Sequence, residues 1–535
     1  MDFAKSCIPL LGALNGTWPS HFHGDLELHL HALKDVELCI RQHMNIVAPI
    51  NRLPDELLAR IFVFVCSSDE RAGTRGTLAP FNLLRVSRCW HSVASSFATV
   101  WSRPRLSLGR DALAVMIARS RAAPLHITWD EGDCASHTHL DRGHSAHILS
   151  RAESISLSGE PQHIAELLKC FLHPAPALSY LRINHFRRLR SYDAHWPEDL
   201  FCGNHPQLVS LELEDVAVPL WRSPLFCETL RTIRVSSSTR GAWVYRLSSA
   251  DYEGASYGSF LNALRRAWRL EHLHLKDCVS FALSVARPGE DRPHRSINVS
   301  HLRTLLLDDT FASCASVLSQ LKLPPDCVSR VRCPWAPELP ANPLPAITAI
   351  AGALPRDSPA VSLTVHRHVV SGLLASHTDI VFSLHDAQRR LIFQLRLACV
   401  PQDAGTHQAI VCAVGGALPL THLRALRVDT LAPLDARAWR TAFGTAHELR
   451  SIAMADLQVY ELARVLRDRT GSPHPHLCAV RCTDLLSTRS LLALRRAEGR
   501  LRSRGGLAVF TRKTTKDGQV TMTIVRASGR KRQLY

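Results

Sequence analysis

Hydrophobic positions along this chain keep two different periods. Between Ile50 and Trp101 they recur at helical spacing; beyond Trp101 they come mostly as short alternating runs separated by helix-like stretches. In the first region Leu57, Leu58, Ile61, Phe62 and Val65 fall at offsets of 0, 1, 4, 5 and 8, one apolar stripe of a 3.6-residue helix. Leu53-Pro54-Asp55-Glu56 opens that helix. Proline suits a first turn, where its missing N–H costs nothing, and the acids suit the positive end of the helix dipole. Leu83, Val86, Trp90, Val93 and Phe97 repeat the helical pattern, and the polar, glycine-containing stretch 67–77 between the two reads as a loop. Two or three short helices in about 50 residues bury too little surface to stand alone, so they need a partner in this chain or another. Upstream, 25–47 is a further helical run whose stripe of Leu26, Leu30, Leu33, Ile40, Met44 and Val47 is broken by Glu37. It is expected to pack against the helices that follow, with a short dimeric coiled coil as the alternative. Pro49 ends it.

After Trp101, the helical run 111–120 leads to the strand pattern 124–129, and then a unit L-x-x-L-x-L recurs. It appears as Ala152/Ile155/Leu157, Leu178/Leu181/Ile183, Leu208/Leu211/Leu213, Leu230/Ile233/Val235, Leu270/Leu273/Leu275, Leu302/Leu305/Leu307 and Val328/Val331/Cys333. After a gap it resumes as Leu423/Leu426/Val428, Leu449/Ile452/Met454 and Leu477/Val480/Cys482. Most spacings fall between roughly 22 and 40 residues, near the leucine-rich-repeat range. The last two apolar positions alternate on a strand and point inward, while the first packs the turn leading in. One such unit cannot cover its own apolar face, so neighbours must stack into a solenoid. Helical patterns at 163–171, 311–321 and 460–468 fill the spaces between units. The gap, 334–419, opens proline-rich and then carries three strand-like runs, 361–365, 380–384 and 391–397, with 385–390 as a turn. It reads as an irregular part of the solenoid, with a strand-rich insertion as the alternative. At the C-terminal end, 507–511 and 520–525 read as a hairpin turned near Asp517-Gly518, followed by a solvated basic tail at 530–532.

Leu53-Pro54-x-Glu56-Leu57-Leu58-x-x-Ile61-Phe62, then Val86-Ser87-Arg88-x-Trp90-x-x-x-Ala94, closing on Val100-Trp101-Ser102, resembles an F-box. The form is most similar to the F-box-like proteins expanded in fungi, and Arg119-Ser120-x-x-x-Pro124-Leu125 resembles the segment that follows the motif there. The resemblance implies that the motif docks onto the Skp adaptor of a cullin–RING ubiquitin ligase while the remainder of the chain captures a protein substrate. On that reading Leu53, Pro54, Leu57, Leu58, Ile61, Phe62, Val86 and Trp90 supply the adaptor interface, although part of the stripe must also close the motif's own core.

Composition narrows the alternatives. The 535 residues are 46% hydrophobic and 21% charged, enough apolar side chain for a sizeable core and too little charge for a disordered chain. The net charge of +17 favours acidic partners, but the arginines are scattered and few aromatics lie between them for bases to stack on. Nucleic acid is therefore not the expected partner. The 16 cysteines form no CxxC pair, and most, such as Cys39 and Cys170, sit among apolar neighbours, as buried thiols of a reducing compartment do. No 18-residue apolar stretch spans a membrane and the first residues make a poor signal peptide, so a cytoplasmic or nuclear chain is expected.

Two clusters resemble metal sites. His137, His139, Asp141, His144 and His147 crowd together, but in a serine- and glycine-containing stretch that reads as a solvated loop running into a helix. His474, His476, Cys478 and Cys482 fail on register: Cys482 occupies an inward position and His476 an outward one, and one strand cannot aim both at one ion. No GxxxxGK, GxSxG or HExxH pattern is present. The sequence thus predicts a non-catalytic α+β (or α/β) protein without cofactor or metal. Its expected parts are an N-terminal helical region (1–48), an F-box-like domain (49–102), a degenerate leucine-rich-repeat-like solenoid (103–495, irregular at 334–419) and a C-terminal hairpin with a basic tail (496–535). The expected function is substrate recognition for a Skp–cullin–F-box ligase. The alternative is a ligase-independent interaction scaffold with an acidic or nucleic-acid partner.

Overall fold

The computed structural model describes residues 23–68, 79–130, 142–185, 199–216, 221–237, 257–279, 296–335, 343–354, 360–371, 376–401, 403–430, 433–467, 474–483, 487–498, 508–514, 520–526 and 531–534. The expected loop at 67–77 and the turn at Asp517-Gly518 lie largely or wholly outside these residues. The chain divides into two compact units, Met1–Ser154 and Ile155–Tyr535.

The first unit contains helices α1 (His23–Val47), α2 (Asp55–Ser68), α3 (Ala79–Leu83), α4 (Arg88–Ser96), α5 (Arg110–Arg119) and α6 (Arg142–Arg151), with strand β1 (Leu125–Asp130) between the last two. Its core gathers Leu58, Phe62, Cys66, Leu83, Val93, Ala94, Val100, Trp101 and Met116. The second apolar run is not one helix. Ser87 breaks it with extended backbone and caps α4, its hydroxyl accepting from the Trp90 N–H at 3.2 Å. Buried Trp101 donates its indole N–H to the Ala94 carbonyl at 2.6 Å, and the Arg119 guanidinium lies 4.6 Å from its ring centre. The segment after the motif is thereby tied to the motif's own core.

Helix α1 departs from expectation. Leu30, Leu33, Met44 and Val47 are all exposed, Met44 at 66%, so the helix does not pack its stripe on the others. Leu38 and Ile46 lie on the other sides of the helix and are exposed too, which leaves no single face for the core to claim. Its junction with the 3₁₀ turn Pro49–Arg52 is polar, Asn51 Nδ2 donating to the Asn45 carbonyl at 2.5 Å. Cys39, on this helix, is exposed rather than buried.

The second unit alternates strands with helices. After β2 (Ala152–Gly159) come β3 (Tyr180–His185), β4 (Ser210–Glu214), β5 (Thr232–Ser236), β6 (His272–Lys276), β7 (Ile297–Asn298), β8 (Thr304–Asp308), β9 (Leu321–Lys322) and β10 (Val328–Pro334). Then follow β11 (Ser362–Ser371), β12 (Ser376–His385), β13 (Leu391–Val400), β14 (Ala425–Val428), β15 (Ser451–Met454), β16 (Ala479–Cys482), β17 (Ala508–Thr514), β18 (Val520–Arg526) and β19 (Lys531–Leu534). The helices are α7 (Pro161–Leu168), α8 (Tyr257–Arg266), α9 (Phe311–Gln320), α10 (Leu344–Gly352), α11 (Ala404–Ala417), α12 (Ala436–Phe443), α13 (Asp456–Leu466) and α14 (Thr488–Glu498).

Apart from β7 and β9, which pair with each other in parallel, these strands form one long, mostly parallel sheet. From β3 the spatial order is β4, β5, β6, β8, β10, all parallel. Next stand β13, β12 and β11, with β12 alone reversed among them. β14, β15, β16 and β17 continue in parallel, and β18 and β19 end the sheet as an antiparallel pair. The tail expected to be solvated thus supplies a strand, β19. From α9 to α14 each helix packs against the next, giving a second layer in chain order. The architecture is a mixed α/β repeat solenoid.

Its core consists of two rows of inward side chains. One runs Leu181, Leu211, Ile233, Leu273, Leu305 and the other Ile183, Leu213, Val235, Leu275, Leu307, each residue in register with the next. At β10 the register differs from the sequence reading. Ser329, not Val331, continues the first row and Val331, not Cys333, the second, with Ser329 buried at 1%. Serine at an inward position hid the true frame by two residues.

The irregular segment 334–419 extends these rows. Phe393, Leu384 and Leu363 follow Ser329, and Leu395, Phe382 and Val365 follow Val331, before Leu426 and Val428 resume. The three strands are laid down in reverse spatial order, so α10 and α11 each span two strands to rejoin the series. The β12–β13 turn is closed by Asp386, whose carboxylate accepts from the Arg390 backbone N–H and from its guanidinium, both at 2.8 Å.

Strand ends are stitched by backbone. Asp215 N–H donates to Ser236 O, Asp277 N–H to Asp308 O and Asp309 N–H to Arg332 O. Asp215 and Asp277 hold φ of 53° and 49°, a left-handed conformation that aspartate tolerates better than most residues. Helix α12 is capped by Asp435, which accepts from the Ala438 N–H at 2.8 Å and from Gln408 at 3.0 Å. The Ala438 N–H, then the Gln408 bond, hold the Asp435 carboxyl below the usual range. Asp435→Ala is expected to cost about 1 kcal/mol in chemical denaturation at pH 7. The difference should shrink as pH falls through the depressed Asp435 pKa, where the wild-type cap becomes protonated.

Candidate functional site

Helix α2 carries two apolar stripes where the sequence shows one. Leu58, Phe62 and Cys66 turn inward, Leu58 and Phe62 with no exposed surface. Those two close the unit's core and are removed from any docking face. One helical step away, Leu57 (44% exposed), Ile61 (37%), Phe64 (72%) and Val65 (38%) form a second stripe at offsets of 0, 4, 7 and 8 that faces solvent. Phe64 is absent from the residues singled out by sequence. The signal was its spacing from Leu57 and Ile61, masked by the stronger-looking Leu-Leu and Ile-Phe pairs.

The helix start fixes where this stripe begins. The Pro54 carbonyl accepts from the Leu57 and Leu58 N–H groups, both at 3.0 Å, and Pro54 itself is exposed while Leu53 is half-buried. Trp90 joins the pieces. Its ring lies 4.8 Å from that of Phe62, and its indole N–H donates to Asn51 Oδ1 at 2.7 Å, pinning the turn that precedes Leu53. Trp90 is therefore half-buried scaffolding. Val86, just before the Ser87 cap, is 48% exposed. Of the eight residues expected at the interface, Pro54, Leu57, Ile61 and Val86 are exposed, Leu53 and Trp90 partly so, and Leu58 and Phe62 buried.

Burying a Leu, Ile, Val or Phe side chain from water is worth about 1.5–3 kcal/mol when complete. An exposed stripe of four on one helix is thus a substantial contact surface for another apolar helix.

Neither candidate metal cluster gains geometric support. His137, His139 and Asp141 lie outside the described residues, and His147 is exposed on α6. His474 is fully buried and uses both ring nitrogens: Nδ1–H donates to the Ala446 carbonyl at 3.1 Å and Nε2 accepts from the Trp439 indole N–H at 3.1 Å. Cys482 is in the core row and His476 is exposed. Among the described residues no group of three potential ligands is placed to hold a metal, and no helix is long and apolar enough to cross a membrane.

No protein-family model and no curated protein matches this chain. Among solved structures it is similar to the yeast Rad7 and Elc1 complex, at 11% identity and a TM-score of 0.28, covering 92% of this chain and 98% of that one. It is also similar to the leucine-rich repeat-containing protein LegL7 from Legionella pneumophila, at 11% identity and a TM-score of 0.21, covering 78% and 92%. Superpositions this loose carry no argument, and the repeat architecture stands on the strand registers and paired core rows of the chain itself.

Proposed function

We propose that this protein is a substrate-recognition subunit of a Skp–cullin–F-box ubiquitin ligase, non-catalytic, with its helical unit docking the Skp-type adaptor and its repeat unit capturing a protein substrate. The supporting observation is the solvent-facing stripe Leu57-Ile61-Phe64-Val65, on the helix that carries the Leu-Pro motif and whose opposite stripe closes the core. Transfer of ubiquitin falls to other subunits. This chain contributes proximity, raising the effective concentration of a target lysine near the ligase.

The test is a pull-down of the full chain with a Skp-type adaptor, beside Leu57→Asp/Ile61→Asp. Both side chains are exposed, so the double variant keeps its circular dichroism while adaptor retention is lost. A wild-type chain that fails to bind, or a folded variant that still binds, overturns the reading. The pair Leu53→Ala/Pro54→Ala should weaken binding less cleanly, because Leu53 is half-buried. A second reading, a scaffold acting without the ligase, keeps the repeat unit's role and predicts no adaptor binding at all.

A further inference from the structure

Helix α1 spaces its apolar residues differently from a helix that faces a core. Positions 26, 30, 33, 37, 40, 44 and 47 advance by four and three in strict alternation, a little over three heptads. Residues 30, 37 and 44 are then a positions, and 26, 33, 40 and 47 are d positions. A helix laid on a globular core carries a broader apolar band, whereas a narrow a/d seam suits one other helix wound against it. The structure leaves this seam open: Leu30, Leu33, Ile40, Met44 and Val47 are all exposed. Leu38 and Ile46 fall outside it.

The helix is also held at one end only. Among the described residues its side-chain hydrogen bonds to the rest of the unit come at the last turns, where Asn51 reaches the Asn45 carbonyl and Arg52 the Val47 carbonyl at 3.5 Å. A helix of 25 residues draws most of its stability in a folded protein from a packed apolar face, and α1 has none within its own chain.

Charge selects the helix that fits. Glu37 is the single polar residue of the seam, and it is ion-paired with Arg41 one turn on. A parallel pair of α1 helices would press Glu37 against Glu37 and set Arg41, at e, opposite Val36, at g. In an antiparallel pair Leu33 layers on Glu37 and Leu30 on Ile40. Glu37 then lies beside Lys34 of the second copy, and Arg41 lies across from Glu27 of the second copy. Glu27, Lys34, Glu37 and Arg41 are all exposed and available for these contacts.

We propose that α1 is a homodimerisation helix, pairing antiparallel with α1 of a second copy through the Leu30/Leu33/Ile40/Met44/Val47 seam. Glu37 fixes orientation and register by reaching Lys34 across the interface, and every contact occurs twice, as an isologous interface requires. The adaptor-docking stripe lies on another helix, α2, so dimerisation does not depend on the ligase reading.

Sedimentation velocity of the full chain tests this. At micromolar concentration the wild type sediments at twice the chain mass and Leu33→Asp/Met44→Asp at the chain mass. Leu57→Asp/Ile61→Asp stays dimeric, which separates the seam from the α2 stripe. Glu37→Lys weakens the dimer at least roughly tenfold, because the new ammonium faces Lys34. Adding Lys34→Glu restores it, a rescue that a parallel pair, with residue 37 facing its own counterpart, does not give. A monomeric wild type, a Leu33→Asp/Met44→Asp chain that still dimerises, or failure of the double exchange to rescue overturns the proposal. A monomeric wild type whose adaptor retention is lost in Leu33→Asp/Met44→Asp would give the seam to the adaptor instead.

Discussion

Gly415→Val is expected to lower the stability of the repeat unit by about 3 kcal/mol or more, the upper end for overpacking a filled interior. Gly415 lies buried on α11 where that helix crosses α12. A Cβ built there would sit 2.6 Å from the Ala442 carbonyl oxygen and 3.0 Å from both Cα and Cβ of Ala442. The obstacle is backbone, not the far end of a flexible side chain, so relief requires the helices to separate. Separation would also loosen Trp439 and Phe443, which pack edge-to-face beside Ala442 with ring centres 5.0 Å apart. The comparison that isolates the effect is Gly352→Ala at the exposed end of α10, where nothing lies within 4 Å of the new methyl group. There the gain in helix propensity should stabilise by about 0.5–1 kcal/mol. Guanidinium denaturation followed by circular dichroism checks both: opposite signs are expected, and a neutral Gly415→Val would mean that the helices are not packed this closely.

Acidification from pH 7 to about 4.5 is expected to destabilise the repeat unit by several kcal/mol. Burial pushes His474 and His185 each down to about 4. Unfolded, each has its ordinary pKa near 6.5, so the unfolded state binds more protons throughout the interval between. Stability is therefore fully present above about pH 6.5, falls as pH drops toward 4, and loses nothing more from these groups below that. Each histidine contributes on the order of 3 kcal/mol across the window. Protonating His474 at Nε2 also sets its new N–H against the Trp439 indole N–H, replacing a hydrogen bond by a repulsion. The depressed carboxylates Asp403, Asp435 and Glu448 lose their contributions only at lower pH, below their ordinary values, so this window belongs to the histidines. Denaturation midpoints measured every half pH unit, with tryptophan fluorescence as the probe, test it. A midpoint flat from pH 7 to 4.5 would show that neither histidine is held neutral.

The repeat frame was legible because burial alternates strictly along a strand. Leu181/Ile183, Leu273/Leu275 and Ile452/Met454 were found from spacing alone and stand in the two core rows. The frame slipped at β10, where Ser329 fills an inward place and Val328 an outward one. Strands β11–β13 were visible as three apolar runs, but their reversed spatial order was not, since hydrophobic alternation says which face is buried and nothing about which strand lies alongside. At the candidate docking helix, Leu57 and Leu58 differ by one helical step. Which of them meets solvent depends on where Trp90, Val93 and Trp101 close the core from the other side.

By itself, then, the sequence determined the local periods: a helical N-terminal motif, a series of short inward-facing strands with helices between, and the capping residues that end them. These follow from backbone geometry and side-chain chemistry within a few residues of each position. Only the tertiary structure decided which half of the α2 stripe stays exposed, that α1 fully buries none of its described apolar side chains, and that the segment 334–419 carries the core rows onward. Each of those depends on contacts between residues distant in the chain, where the free energy of burial is settled by what packs opposite rather than by what stands next in sequence.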